Sequence, residues 1–96
     1  MSVQASPIDP KIPITFSAFV VTLVQSAMVH LGEAPNPETG GKNMDLSMAR
    51  HTIDVLTMLK QKTNGNRSDD ETKLLDTLLY EVRTKFLTAS GSYQRR

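Results

Sequence analysis

The stretch 16-FSAFVVTLVQSAMVHL-31 is the most apolar part of the chain and decides its fold. Its apolar side chains recur at the three- and four-residue spacing of one face of an α-helix. These positions are Phe16, Val20, Leu23, Val24, Ala27 and Leu31. Thr15 can cap the start of this helix, and Gly32 suits the left-handed position that ends one. The sequence therefore predicts a first helix between these two residues.

A second row of mostly apolar residues follows a different face of the same helix. Its members are spaced like the seam of a coiled coil. They are Ala18, Val21, Gln25 and Met28, with Val29 beside them. One face can serve the core of the domain, but the second needs another partner. The simplest partner is a second copy around a two-fold axis, so we expect a homodimer through this row. The alternative is a monomer in which the first helix is buried on all sides.

The apolar run from Ile14 to Leu31 also has to be compared with a membrane segment. A membrane-spanning helix needs about 20 mainly apolar residues, and this run is interrupted by Thr, Ser, Gln and His side chains. As a signal peptide it lacks a good basic start and a good cleavage site. We expect a soluble, cytoplasmic protein.

Size and charge limit the remaining possibilities. A chain of 96 residues forms one domain, and a domain this small has a core of marginal size that oligomerisation can supplement. The absence of cysteine excludes disulfides and cysteine-ligated zinc. A net charge of +1 provides no field that would attract nucleic acid or an acidic membrane.

Two further helices complete an all-α, three-helix domain. The second is predicted to start with Asp45 as N-cap and to end near Thr63, and Ser68 with Glu71 forms a capping box that starts the third. We expect the apolar first helix to pack on the α-hairpin formed by the other two. The predicted boundaries are an extended proline-containing arm over 1–14, the domain over 15–87, and a disordered tail over 88–96.

The predicted connection between the first two helices covers residues 33–44. It is longer than the usual helix–helix link of about two to eight residues. Its proline and glycine residues exclude regular structure. We interpret six of its residues as a surface for a further protein partner, namely Pro35, Asn36, Pro37, Glu38, Thr39 and Gly40.

Several motifs resemble a short bacterial family known only as domain of unknown function 1844. The similar segments are Phe16–Val20, Val29–Glu33, Pro35–Gly40, Thr52–Leu59, Lys62–Asn66 and Leu78–Arg83. The resemblance covers about residues 14–87, with Gly40-Gly41-Lys42 as a small departure from the family pattern. It implies a helical, cytoplasmic bacterial protein, and it implies no activity.

Two histidines supply the alternative of a metal-dependent or small-molecule-binding enzyme. His30 is followed by Glu33, and His51 by Asp54. Residues three apart share one helix face, so the two pairs together would offer four ligands to a divalent metal. The glycine before Glu33 weakens the geometry of the first pair. Because the chain also has no nucleophile elbow and no phosphate-binding loop, we expect no enzyme, no cofactor and no metal.

A weaker alternative is association with RNA through a basic C-terminal region. Its residues are Arg83, Lys85, Tyr93, Arg95 and Arg96. Acidic residues in the same helix dilute this charge, which argues against nucleic acid as a partner. The sequence as a whole favours a non-enzymatic helical homo-oligomer that acts as an adaptor or regulator.

Overall fold

The computed structural model describes residues 13–91. Three helices form this part of the chain: α1 (Phe16–His30), α2 (Leu46–Lys62) and α3 (Asp69–Gly91). No strand occurs within the described range. The prediction of an all-α, three-helix domain is confirmed.

Helix α1 begins and ends at the predicted residues. The Oγ1 of Thr15 accepts a hydrogen bond of 3.0 Å from the backbone N–H of Ala18. At the other end Gly32 adopts φ +78°, and the N–H of Glu33 donates across it to the carbonyl oxygen of Met28 at 2.9 Å. This is the Schellman arrangement, in which a left-handed glycine allows the last carbonyl groups of a helix to find donors.

The N-termini of α2 and α3 also confirm the predicted caps. The Oδ1 of Asp45 accepts from the N–H of Met48 at 3.1 Å. The N–H of Ser68 donates to Glu71 Oε1 at 2.8 Å, and the N–H of Glu71 donates to Ser68 Oγ at 3.1 Å. Both members of the capping box therefore satisfy a backbone donor that the helix itself leaves free.

All three helices contribute to one core. Its buried members are Val20, Val24, Ala27 and Leu31 of the α1 segment, Ala49, Ile53 and Leu56 of α2, and Leu75, Leu79 and Val82 of α3. Phe16 and Leu23, the other two residues of the predicted α1 stripe, pack against this cluster. The first helix thus packs on the hairpin of α2 and α3, as the sequence predicts.

The end of α3 differs from the prediction. The sequence predicts that the domain ends at residue 87 and that a disordered tail follows. The helix instead continues to Gly91. The reason is that Ala89 packs against the core and extends the row of Val82 and Phe86 by another turn. The rest of the predicted tail, 92–96, and most of the predicted arm, 1–12, lie outside the described residues.

Helix α1 is the most apolar of the three helices. Within residues 13–91, no helix combines the length and the apolar character that crossing a membrane requires.

Candidate interaction surfaces

The second row of α1, predicted as an oligomer seam, is only partly covered by the rest of the domain. Val21 keeps 36% of its surface exposed and Gln25 is also exposed, while Ala18 and Val29 are half-buried. We call these four residues the outer face of α1. Removing an apolar side chain such as that of Val21 from water lowers the free energy of the system. Contact of this face with another apolar surface would therefore be favourable.

Met28 differs from the other four predicted seam residues. Like Ala18 and Val29 it is half-buried, but it alone of the five packs against the core cluster. Its position eight residues after Val20 and four after Val24 places it at the edge of the buried stripe. Met28 therefore belongs at least in part to the core of the domain itself.

Residues 35–40, predicted as a partner loop, have a shape fixed by local hydrogen bonds. The Oδ1 of Asn36 accepts from the N–H of Glu38 at 2.8 Å, and its carbonyl oxygen accepts from the N–H of Gly40 at 2.7 Å. The N–H of Asn36 donates to the carbonyl oxygen of Gly41 at 2.8 Å. Asn36 therefore organises the loop, and five of the six residues remain exposed.

The two ends of this loop are held close together. The N–H of Asp45, the cap of α2, donates to the carbonyl oxygen of His30 in the last turn of α1 at 2.7 Å. Beside it, Glu33 Oε1 lies 3.7 Å from Lys85 Nζ of α3. Compact loops whose ends meet in this way are often functional. Residues 35–40 thus form an ordered and largely exposed surface.

The residues of the metal hypothesis do not form a ligand cluster. Glu33 faces Lys85, and Asp54 Oδ1 lies 3.9 Å from Arg50 Nε. No group of three or more His, Cys, Asp or Glu side chains within residues 13–91 is arranged to hold a metal ion. Although each histidine has a carboxylate three residues later, the fold does not bring the two pairs together into one site.

The residues of the RNA hypothesis divide into two groups. Arg83 donates to Thr57 Oγ1 at 2.8 Å, and Lys85 is the partner of Glu33. Tyr93, Arg95 and Arg96 lie outside the described residues.

The structure also contains a groove between α2 and α3 that the sequence analysis did not predict. Its floor is apolar and its rim carries two arginines. It is lined by Arg50, Ile53, Asp54, Thr57, Arg83, Phe86 and Leu87. The only indication of this groove in the sequence is the apolar residue Leu87, which follows Phe86 of the row predicted for the core.

The ion pair between Lys60 and Asp76 changes the pKa of the aspartate. Lys60 Nζ lies 2.8 Å from Asp76 Oδ1 and joins α2 to α3. The hydrogen bond from Lys60 lowers the pKa of Asp76 below its ordinary value of 3.8, and the positive charges of Lys60 and Arg67 act in the same direction.

These features define a small three-helix domain within residues 13–91. A family model described as a domain of unknown function (DUF1844) matches residues 13–88. The chain belongs to this family. Comparisons with curated proteins and with solved structures found no match.

Proposed function

We propose that this chain is a non-enzymatic interaction protein that forms a homodimer through the outer face of α1. The observation that carries the proposal is the 36% exposure of Val21 after α2 and α3 have packed on the other side of the helix. A second copy related by a two-fold axis would cover Val21 with the outer face of its own α1.

The size of the domain supports self-association. A chain of 96 residues buries a smaller fraction of its surface than a larger domain does. Only ten hydrophobic residues within the described range are buried. Covering an apolar helix face with a second copy adds to this small core, so dimerisation and stability would be linked.

The dimer would act as an adaptor or regulator, with the loop at residues 35–40 binding a further protein. Support for this role comes from the shape of the loop, which Asn36 holds through its side chain and its main chain. A loop ordered before binding loses less conformational entropy when a partner binds. We also propose that the protein acts in the cytoplasm of a bacterium, where a chain without cysteine needs no oxidising compartment.

Light scattering after gel filtration tests the dimer. At micromolar concentration we expect twice the chain mass for the wild type and the chain mass for Val21→Glu, because the substitution places two carboxylates, one from each copy, at a shared apolar contact. Met28→Glu is unsuitable, since Met28 packs against the core.

Met58→Glu provides the matched control. Met58 is an apolar residue of α2 with 44% exposure, and it lies outside the proposed interface. This variant is expected to keep the dimer mass. A wild type that elutes with the mass of one chain, or a dimer that survives Val21→Glu with unchanged concentration dependence, overturns the proposal.

A further inference from the structure

The groove between α2 and α3 combines an apolar floor with a positively charged rim. Ile53, Phe86 and Leu87 form the apolar part, and the cavity volume is about 350 Å³. Leu87 leaves 67% of its surface in contact with water. A volume of this size accommodates one or two large side chains of a bound segment.

One of the rim arginines is held in place by a chain of hydrogen bonds. Arg83 Nη2 donates to Thr57 Oγ1 at 2.8 Å, and the hydroxyl of Thr57 in turn donates to the carbonyl oxygen of Ile53 at 2.9 Å. Because the proton of the Thr57 hydroxyl is used for Ile53, the oxygen is free to accept the hydrogen bond from Arg83. This contact uses one of the five N–H donors of arginine, and the others stay free to bind an anion.

The charges in the groove do not balance. Arg50 has a carboxylate neighbour, Asp54, at 3.9 Å with both side chains about two-thirds exposed, which is a weak pair. Arg83 has no carboxylate partner among residues 13–91. The groove thus carries one uncompensated positive charge, and the hydrogen bond to Thr57 orients it.

We propose that this groove binds a segment of a partner protein in which a carboxylate side chain lies one helical turn from a large apolar side chain. The carboxylate would pair with Arg83, whose planar guanidinium suits two parallel hydrogen bonds to a carboxylate. The apolar side chain would cover Leu87 and enter the floor. The site is separate from the outer face of α1, so it gives the domain a second binding surface.

An acidic and apolar segment fits this groove better than a nucleic acid does. A phosphate backbone would use Arg83 but would leave Leu87 and the apolar floor of the groove in water. Nucleic-acid binding by this surface would also require several basic residues along a stripe.

The test uses two fluorescent helical peptides of 14 residues that differ at one position. Both carry leucine, and one turn away the first has glutamate and the second has glutamine. With the full-length protein we expect the glutamate peptide to bind about fivefold more tightly, a difference typical of one partly exposed charge pair. Arg83→Gln should remove this preference.

Two variants make the result specific. Lys73→Gln removes an exposed positive charge of α3 that is not part of the groove, and it should preserve the preference for glutamate. Leu87→Ser should weaken both peptides equally, because both present the same leucine. Circular dichroism of each variant verifies that the helices remain.

Three results overturn the proposal. They are absence of binding by both peptides up to millimolar concentration, equal binding of the two peptides, and a glutamate preference that persists in Arg83→Gln. Tighter binding of a uridine oligonucleotide than of the glutamate peptide would assign the rim to phosphate instead. The measurements are repeated with Val21→Glu, so that failure of the proposed dimer does not affect their interpretation.

Discussion

The guanidinium of Arg67 donates a hydrogen bond of 2.7 Å to the main-chain carbonyl oxygen of Lys60 in the last turn of α2. The same Nη1 donates to Thr63 Oγ1 at 2.8 Å, and Nε donates to Thr72 Oγ1 at 3.1 Å in the first turn of α3. The last carbonyl groups of a helix lack partners within the helix. Arg67 supplies one and at the same time fixes the turn between α2 and α3.

Replacing Arg67 by alanine is expected to lower the free energy of unfolding by about 1.5–3 kcal/mol, the range for hydrogen bonds to a charged group. Three acceptors, one in α2, one at its C-cap and one in α3, lose their donor together, and Arg67 is half-buried. Urea denaturation followed by circular dichroism measures the change. Lys62→Ala removes a nearby exposed cation and should change the free energy by less than about 0.5 kcal/mol. Equal effects of the two variants would show that only charge at the end of α2 matters.

Asp76→Asn is expected to lower the melting temperature at pH 7, because the variant loses the ion pair with Lys60 at 2.8 Å. The pKa of Asp76 is lowered in the folded protein, mainly by the hydrogen bond from Lys60. The stabilisation is therefore present above the unfolded value near 3.8 and is lost as the pH falls through the lowered folded pKa. Both side chains are about half exposed, so the effect is small and decreases with salt.

Thermal melts of the wild type and Asp76→Asn from pH 7 to pH 2 test this dependence. The two melting temperatures should differ at pH 5–7 and converge below pH 3.8. Glu81→Gln serves as a control, because Glu81 is an exposed carboxylate of α3 that forms no ion pair within residues 13–91. A difference between wild type and Asp76→Asn that is constant over the whole range would contradict the assignment.

The local features of the fold could be predicted from sequence because their causes lie within a few residues. The capping box joins Ser68 to Glu71, and the cap of α2 joins Asp45 to Met48. Each hydrogen bond spans three residues, so the pattern of residue types carries the geometry. The same holds for the buried stripe of α1, which requires only helical periodicity.

Features that depend on contacts between helices could not be predicted in this way. Arg67 acts on Lys60, seven residues earlier, and Arg83 acts on Thr57, 26 residues earlier. Nothing in the type or spacing of these residues indicates the contact before the hairpin forms. The extension of α3 to Gly91 has the same origin, because Ala89 is held by packing against the core.

The candidate surfaces illustrate the same limit. Periodicity placed Val21 and Met28 in one row, but Val21 is exposed while Met28 packs against the core. Helical periodicity does not show where the buried face of a helix ends. The width of that face depends on how α2 and α3 pack against α1. The four-ligand hypothesis for His30 and His51 depends on the same kind of contact, since it requires two helices to bring specific side chains together, and within residues 13–91 these side chains form no ligand cluster.

Gly32→Ala is expected to destabilise the domain by about 1–2 kcal/mol, the cost of a left-handed conformation for a residue with a Cβ. Gly32 has φ +78°, and the nearest atom to an added Cβ, in Met44, lies at an ordinary 3.9 Å. Strain of the backbone and not a collision is therefore the cause. Gly91→Ala is the control, because Gly91 is helical without positive φ and has open space around it. Urea denaturation should show no loss for Gly91→Ala; equal losses would refute the explanation.

Gln25→Leu is expected to strengthen self-association. Gln25 is the exposed polar residue of the outer face of α1, and a polar residue within a helix seam costs stability in the associated state. In the proposed dimer, leucine would bury additional apolar surface in each copy, so sedimentation should show a lower dissociation constant. Gln61→Leu adds the same side chain to an exposed position of α2. It is the control for non-specific association through an added apolar residue. If the two variants associate equally, the outer face of α1 is not a specific interface; if only Gln25→Leu associates more tightly, that face is where the two copies meet.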